Sequence, residues 1–297
     1  MNPSIQSALR NDGKQLESVL SLDPNGARIE VQCLLQAALR VNRAYLLTHP
    51  EQALNDDQQA QYAGMLERRL RGEPIAYILG EREFFGLDFR VTPATLIPRP
   101  DTELLVELAL ERLPSSSAPL AGEGPGRGEA LRLLDLGTGS GAIALSIAHA
   151  RPDAEVTAVD ASPEALEVAR ENARRLKLGN VRLLQSDWFS ALPDERFDVI
   201  VSNPPYIAAD DAHLAQGDVR FEPLTALASG ADGLDDIRRI IAEAKAHLHD
   251  GGWLMFEHGY DQAERVRGLL DAGGFIEVFS ARDLAGIERV TGGRTKA

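Results

Sequence analysis

The chain has 297 residues, 44% of them hydrophobic and 26% charged, with a formal charge of −14. That balance suits a water-soluble folded protein. It speaks against a nucleic-acid-binding surface, which needs clustered Lys and Arg to neutralise phosphates, and the lack of any apolar run of about 18 residues speaks against a membrane span.

The single cysteine, Cys33, cannot form an intramolecular disulfide and reads as a core residue. The opening residues carry no basic stretch followed by an apolar one. The cytoplasm is therefore the expected compartment, with no membrane partner.

Residues 1–75 read as short helices and form the expected N-terminal helical domain. In "VQCLLQAALRVNRAYLLTH" the apolar residues Val31, Leu34, Leu35, Ala38, Leu39 and Leu46 recur near a period of 3.6. "DDQQAQYAGMLERRLRG" opens on aspartates suited to capping and closes at Gly72, as helices do. This part carries eight basic and nine acidic side chains, so the excess negative charge falls on the rest of the chain.

Residues 76–97 alternate around Gly86 and read as a β-hairpin linker. "LIPRPDTELLVELALERL" is a proline-restricted entry into a helix, with Asp101 or Thr102 as its cap. The Pro, Gly and Ser-rich stretch 114–130 reads as a flexible surface insertion without chemistry.

From Leu131 strands alternate with helices. Seven strands are expected, at "LRLLDLG", "AEVTAVD", "VRLLQSD", "FDVIVSN", "GGWLMFEHG", "FIEVFSAR" and "ERVTGGR". The helix "SPEALEVARENARRLKLG" is opened by Ser162-Pro163 and closed by Gly179. Such alternation makes residues 98–297 an α/β domain, with a mostly parallel sheet covered by helices on both faces. Ligands of these sheets bind outside the carboxyl ends of the strands, and every notable motif falls at such an end.

"LDLGTGSGAIALSIA" is strand, glycine-rich turn and helix. Its turn, Gly137-Thr138-Gly139-Ser140-Gly141, lets backbone approach a ligand without Cβ interference. Gly137, Gly139 and Ala142 also fit a dinucleotide fingerprint, so this loop alone leaves nicotinamide chemistry open. Asp160 ends the second strand, where an acid can accept both hydroxyls of a ribose; the plainer reading is a helix cap. Asp187 ends the third strand and can accept from the exocyclic amine of an adenine. Trp188 beside it can stack on the ring or merely fill core. Together these expect a nucleoside-bearing cofactor.

The fourth strand leaves as "NPPYIA". Two prolines remove donors and stiffen the chain. The Asn203 side-chain oxygen and the Pro204 carbonyl are then two rigid acceptors, with Pro205 and Tyr206 packing beside them. Hydride transfer has no use for such a clamp. A conjugated NH2 group does: its delocalised nitrogen attacks a methyl group poorly, and acceptors on its N–H bonds orient it and favour the pyramidal transition state. No metal site is expected, because His and acidic residues lack ligand spacing. A nucleic-acid adenine, methylated at N6, presents the same kind of amine. A non-enzymatic nucleoside-binding module is the third reading.

The glycine loop, Asp160 and Asn203-Pro204-Pro205-Tyr206 resemble a class I S-adenosylmethionine-dependent methyltransferase of the amino-methylating kind. Further stretches resemble the peptide chain release factor glutamine N5-methyltransferases: "RLRGEPIAYILGEREFFGLDFRV", "TLIPRPDTELLVE", "QSDWF", "FDVIVSNPPYI" and "FEPLTALASGADGLDDIRRII". The resemblance implies a Rossmann-like sheet in a methyltransferase domain and S-adenosylmethionine held by Gly137 to Gly141, Asp160, Trp188 and Asn203. It further implies that Asn203 to Tyr206 grip the glutamine of a Gly-Gly-Gln motif, while the helical domain docks the release factor. Phe221-Glu222-Pro223 shapes the glutamine pocket or packs a loop. Arg99 reads as a surface ion pair. Glu257-His258 offers a base that the reaction does not need, since the product nitrogen is acidic enough to lose its proton to water.

Overall fold

The computed structural model describes residues 2–113 and 131–296, so the 114–130 insertion lies outside it. The chain divides into two compact units. The first takes in Met1–Glu81 together with Ala215–Phe221; the second takes in Arg82–Leu214 and Glu222 onward.

The first unit is helical: α1 (Ile5–Leu20), α2 (Pro24–Leu39), α3 (Arg43–Thr48), α4 (Asp56–Leu70) and α5 (Ile75–Leu79). Each of the first four starts on a side chain that accepts from the helix's free N–H groups: Ser4, Asp23, Asn42 and Asn55. The periodic run from Val31 divides, because Arg40 turns left-handed (φ 56°) before Asn42 caps α3. On α4 the cap is Asn55, in a reciprocal box with Gln58, and the expected aspartates fill the first turn. Cys33 is half-buried rather than core.

The core of this unit gathers Ile5, Leu16, Leu34, Leu35 and Tyr62. Arg69 is buried in it. Its guanidinium donates to both Glu30 oxygens (2.7 and 3.0 Å) and to Asp218 (2.9 Å), which ties the 215–221 segment to these helices.

The second unit takes up the chain at Arg82, within the hairpin of β1 (Glu81–Phe84) and β2 (Leu87–Arg90). Phe85 (φ 52°) and Gly86 (φ 73°) both take positive φ, the geometry of a tight two-residue turn. The turn is pinned by Glu103, whose carboxylate accepts from the Phe85 N–H at 3.0 Å. Phe84 and Phe89 pack edge to face and belong to this unit's own core. A short 3₁₀ turn (Pro100–Thr102) then leads into α6 (Glu103–Arg112).

The remaining elements are β3 (Leu131–Leu136), α7 (Ala142–Ala150), β4 (Ala154–Asp160), α8 (Pro163–Arg175), β5 (Val181–Gln185), β6 (Phe197–Ser202), α9 (Asp235–Ala244), β7 (Leu248–Glu257), α10 (Ala263–Ala272), β8 (Ile276–Arg282) and β9 (Glu288–Arg294). They form a seven-stranded sheet in the order β5-β4-β3-β6-β7-β9-β8. Its first five strands are parallel; β9 runs antiparallel between β7 and β8.

Alternate residues serve opposite faces: Leu133, Val199 and Val201 join α6 and α7, while Leu134, Ile200 and Phe256 join α9 and α10. Ser162 caps α8 as expected. That helix ends earlier than Gly179, at Arg175; Lys177 then takes a left-handed turn (φ 57°) while Leu176 and Leu178 pack against the core.

Candidate active site

The strand order reverses between β3 and β6, the place where open α/β sheets leave a crevice. Leu136 and Ser202 are register partners, and the Ser202 hydroxyl donates to the Leu136 carbonyl at 2.8 Å. The glycine loop and the NPPY stretch therefore leave the sheet side by side. A cavity of about 550 Å³ opens there, lined by Gly137, Thr138, Gly139, Ser140, Asp160, Trp188, Asn203 and Pro205 among others.

The loop is shaped by its own backbone. The N–H groups of Gly137 and Thr138 both donate to the Val159 carbonyl at 2.9 Å, which draws the loop toward β4. Gly141 (φ 85°) turns the chain into α7, and a Cβ there would sit 2.9 Å from Leu145; it stands outside the cavity wall. At Gly137 (φ 71°) a Cβ would meet the Trp188 ring at 3.5 Å, so the space between loop and indole exists because there is no side chain.

Asp135 buttresses the loop from below. It is fully buried, accepts from the Thr138 hydroxyl at 2.6 Å, and leaves Oδ1 without a partner. Burial pushes its pKa up to about 7, opposed by the Thr138 and Ala144 hydrogen bonds.

Asp160 does not cap α8, whose cap is Ser162. Its Oδ2 accepts from the Gly139 N–H (2.8 Å) and its Oδ1 from the Ser162 N–H (2.9 Å), which aims the carboxylate at the cavity from two fixed points. Burial raises its pKa, and those backbone donors hold it back. Asp187 also lines the cavity, but both of its oxygens are taken by the Arg239 fork at 2.8 and 2.9 Å. A bidentate partner competes directly with the adenine amine expected there. Trp188 is half-buried, held at φ 50° with its ring over Gly137.

At the clamp, Asn203 donates from Nδ2 to the Thr102 hydroxyl at 3.3 Å, while its Oδ1 is buried with no partner. Buried carbonyl oxygens are nearly always paired. Asn203 as a residue lines the cavity, while the oxygen itself lies beneath the accessible surface. Pro205 shares the wall; Pro204 and Tyr206 stand beside it and not in it. The Tyr206 hydroxyl donates to Glu257 Oε1 at 3.3 Å, and the Tyr206 carbonyl accepts from Gln262 at 2.9 Å. Burial and the adjacent Glu257 push the phenol's pKa up.

Glu257 is 2% exposed and its pKa rises to about 7, chiefly through burial, with Thr102 and Tyr206 opposing. The neighbouring His258 bonds to Thr291 (2.7 Å) and to the Gly259 carbonyl (2.9 Å), and burial lowers its pKa. Arg99 is only half surface: it pairs with a fully buried Glu222, whose other oxygen accepts from the Ile97 N–H at 3.0 Å. Pro223 follows on the cavity wall.

Among the wall features that escape sequence reasoning are the Ala94-Thr95-Leu96 edge, Thr102 and Arg239. Thr102 invites a cap reading, yet its side chain caps nothing. Nothing local connects Arg239 with an aspartate 52 positions earlier. Among the described residues no group of three metal-ligating side chains occurs, and no helix is long and apolar enough to cross a membrane.

Residues 14–80 match the family model of a PrmC N-terminal domain, and residues 128–270 match that of a methyltransferase domain. The release factor glutamine methyltransferase of Salmonella typhimurium is 50% identical over 272 residues, 92% of this chain and 94% of that protein. The protein of the same name from Vibrio cholerae is 48% identical over 297 residues, 100% of this chain and 98% of that one. A methyltransferase structure from Pyrococcus furiosus shares the fold at a TM-score of 0.52, with 22% identity, covering 79% of this chain and 100% of its own.

Proposed function

This chain belongs to the family of release factor glutamine methyltransferases, and on that premise we propose that it methylates the side-chain amide nitrogen, N5, of the glutamine in the Gly-Gly-Gln motif of peptide chain release factors. The donor is S-adenosylmethionine, which when bound supplies a methyl carbon made electrophilic by a sulfonium. The residues present suit that group. The glycine loop, its Cβ-free gap under Trp188, and the carboxylate of Asp160 form a cradle for a nucleoside with free hydroxyls. Asp187 is left to Arg239 and the adenine edge to other residues of the wall.

The observation that carries the reading is Asn203 itself, a residue of the cavity wall whose Oδ1 is buried and without a hydrogen-bond partner. It accepts one N–H of the substrate amide, and the Pro204 carbonyl accepts the other. Both bonds draw electron density back onto the nitrogen and hold it in one orientation, which is where a sluggish nucleophile gains most. Tyr206, tied to Glu257, and Pro205 stiffen the clamp. The proton lost after transfer goes to water. In this reading the helical unit is the docking module for the factor, and the reaction belongs to the cytoplasm.

The test uses the purified protein, labelled S-adenosylmethionine and a release factor, with mass spectrometry of the Gly-Gly-Gln peptide. One added methyl on the glutamine is expected, lost when that glutamine is changed to alanine. Asn203→Ala should cut the rate by about 10²–10³. Label that survives the substrate's Gln→Ala change, or full turnover by the Asn203 variant, overturns the reading.

A further inference from the structure

The two ends of an asparagine amide are alike in shape, so only hydrogen bonding decides which one faces a ligand. At Asn203 the choice matters. With Oδ1 toward the cavity it receives an N–H; with Nδ2 toward the cavity it opposes one donor with another. Rotation about this terminal bond is soft, and no backbone feature of the NPPY turn selects between the two states.

The selection lies behind the residue. Nδ2 donates to the Thr102 hydroxyl at 3.3 Å, and Thr102 is 5% exposed. A hydroxyl has one proton and can both give and receive. If Thr102 gave its proton to Asn203, the amide would turn Oδ1 away from the cavity. That proton has a competing acceptor in Glu257, whose Oε2 is buried without a partner at standard hydrogen-bond geometry and on whose acidity the Thr102 hydroxyl acts. An ionised carboxylate can only accept. It draws the hydroxyl proton to itself and leaves the oxygen's lone pair for Nδ2. The direction of the whole chain follows from one charge.

We propose that Thr102 and Glu257 are the positioning residues that hold Asn203 with Oδ1, and not Nδ2, toward the substrate. This rests on the methyl-transfer reading above and adds a cause for the clamp's polarity. It also gives the reaction a pH limb. Protonated Glu257 becomes a donor; Thr102 is then free to donate to Asn203, and the amide turns over. The groups facing Glu257 are the Tyr206 phenol and Thr102 hydroxyl, with Asp101 raising its pKa and Arg289 lowering it. Activity therefore rises as pH climbs through about 7 and falls below it.

The experiment measures kcat, KM for a release factor and cofactor affinity between pH 5.5 and 8.5, pH values chosen to span about one and a half units either side of the Glu257 transition. The full chain is compared with Glu257→Gln, Thr102→Val and Thr102→Ser. Expected are losses in kcat of about 10- to 100-fold for Glu257→Gln and Thr102→Val, with cofactor affinity within about twofold, and near-complete rescue by Thr102→Ser. The limb near pH 7 should vanish in Glu257→Gln. An unchanged kcat and pH profile in Glu257→Gln overturns the proposal. So does equal kcat for Thr102→Val and Thr102→Ser, a comparison that decides the matter even if the Glu257 variant fails to fold. Absence of glutamine methylation by the unaltered protein would instead defeat the underlying reading.

Discussion

At the scale of single residues, the site is a set of buried polar groups left deliberately short of partners. Asn203 Oδ1, Glu257 Oε2 and Asp135 Oδ1 are all buried and unpaired, and all lie within or against the site. Such groups cost stability; Gln59, Arg112, Ser146 and Arg294 carry others away from the cavity wall. Asp135 gives a test independent of turnover. Its folded pKa, about 7, stands above the ordinary carboxylate value. Between these the folded state binds the proton that the unfolded state has released, so stability falls as pH rises through that window. The melting temperature should drop from about pH 5 to about pH 7, and Asp135→Asn should remove part of that slope. Glu257 contributes in the same direction, so a residual slope remains. Identical slopes in both proteins would show that Asp135 is not the titrating group. None of these vacancies is visible in sequence, because whether a polar atom is paired depends on neighbours from distant segments.

At the scale of elements, period and punctuation carry far. The seven strands fall where alternating and continuous apolar runs sit between turns, and Ser162, Asp160 and the glycines mark their ends. The errors are at boundaries: Asn55 caps α4, Arg40 breaks the run after Val31, and α8 ends at Arg175, with Lys177 turning left-handed before Gly179. Each involves a polar side chain or a left-handed turn that tertiary packing can enforce against propensity. The hairpin is the most instructive element. Sequence casts residues 76–97 as a linker, while Phe84 and Phe89 are fully buried among α6, α7 and β3 residues. A tether would tolerate Phe89→Ala; a core element would not. The expected cost is about 3–5 kcal/mol, read from urea unfolding of the full chain. A loss under about 1 kcal/mol would return the hairpin to the role of a connector.

At the scale of the whole molecule, charge selects partners. A net charge of −14 and a pI near 4.9 offer no counterion-releasing surface. The adenine-methylating alternative needs one, together with energy to extract a base from its stack. The protein should pass through a heparin column at about 0.15 M salt, with retention there pointing to a polyanion site. Nearly all of the net negative charge is carried by the sequence beyond residue 75.

The amino-acid sequence by itself determined the class of fold, the glycine-rich turn and the proline-stiffened exit from β6, because these depend on local rules: apolar periodicity, glycine's access to positive φ, and proline's loss of a donor. Only the tertiary structure decided that β3 and β6 are neighbours, that Arg239 occupies Asp187, and that Thr102 and Glu257 stand behind Asn203. Those are relations among residues up to 155 positions apart. They arise from the order in which strands assemble, and no window of local sequence contains that order.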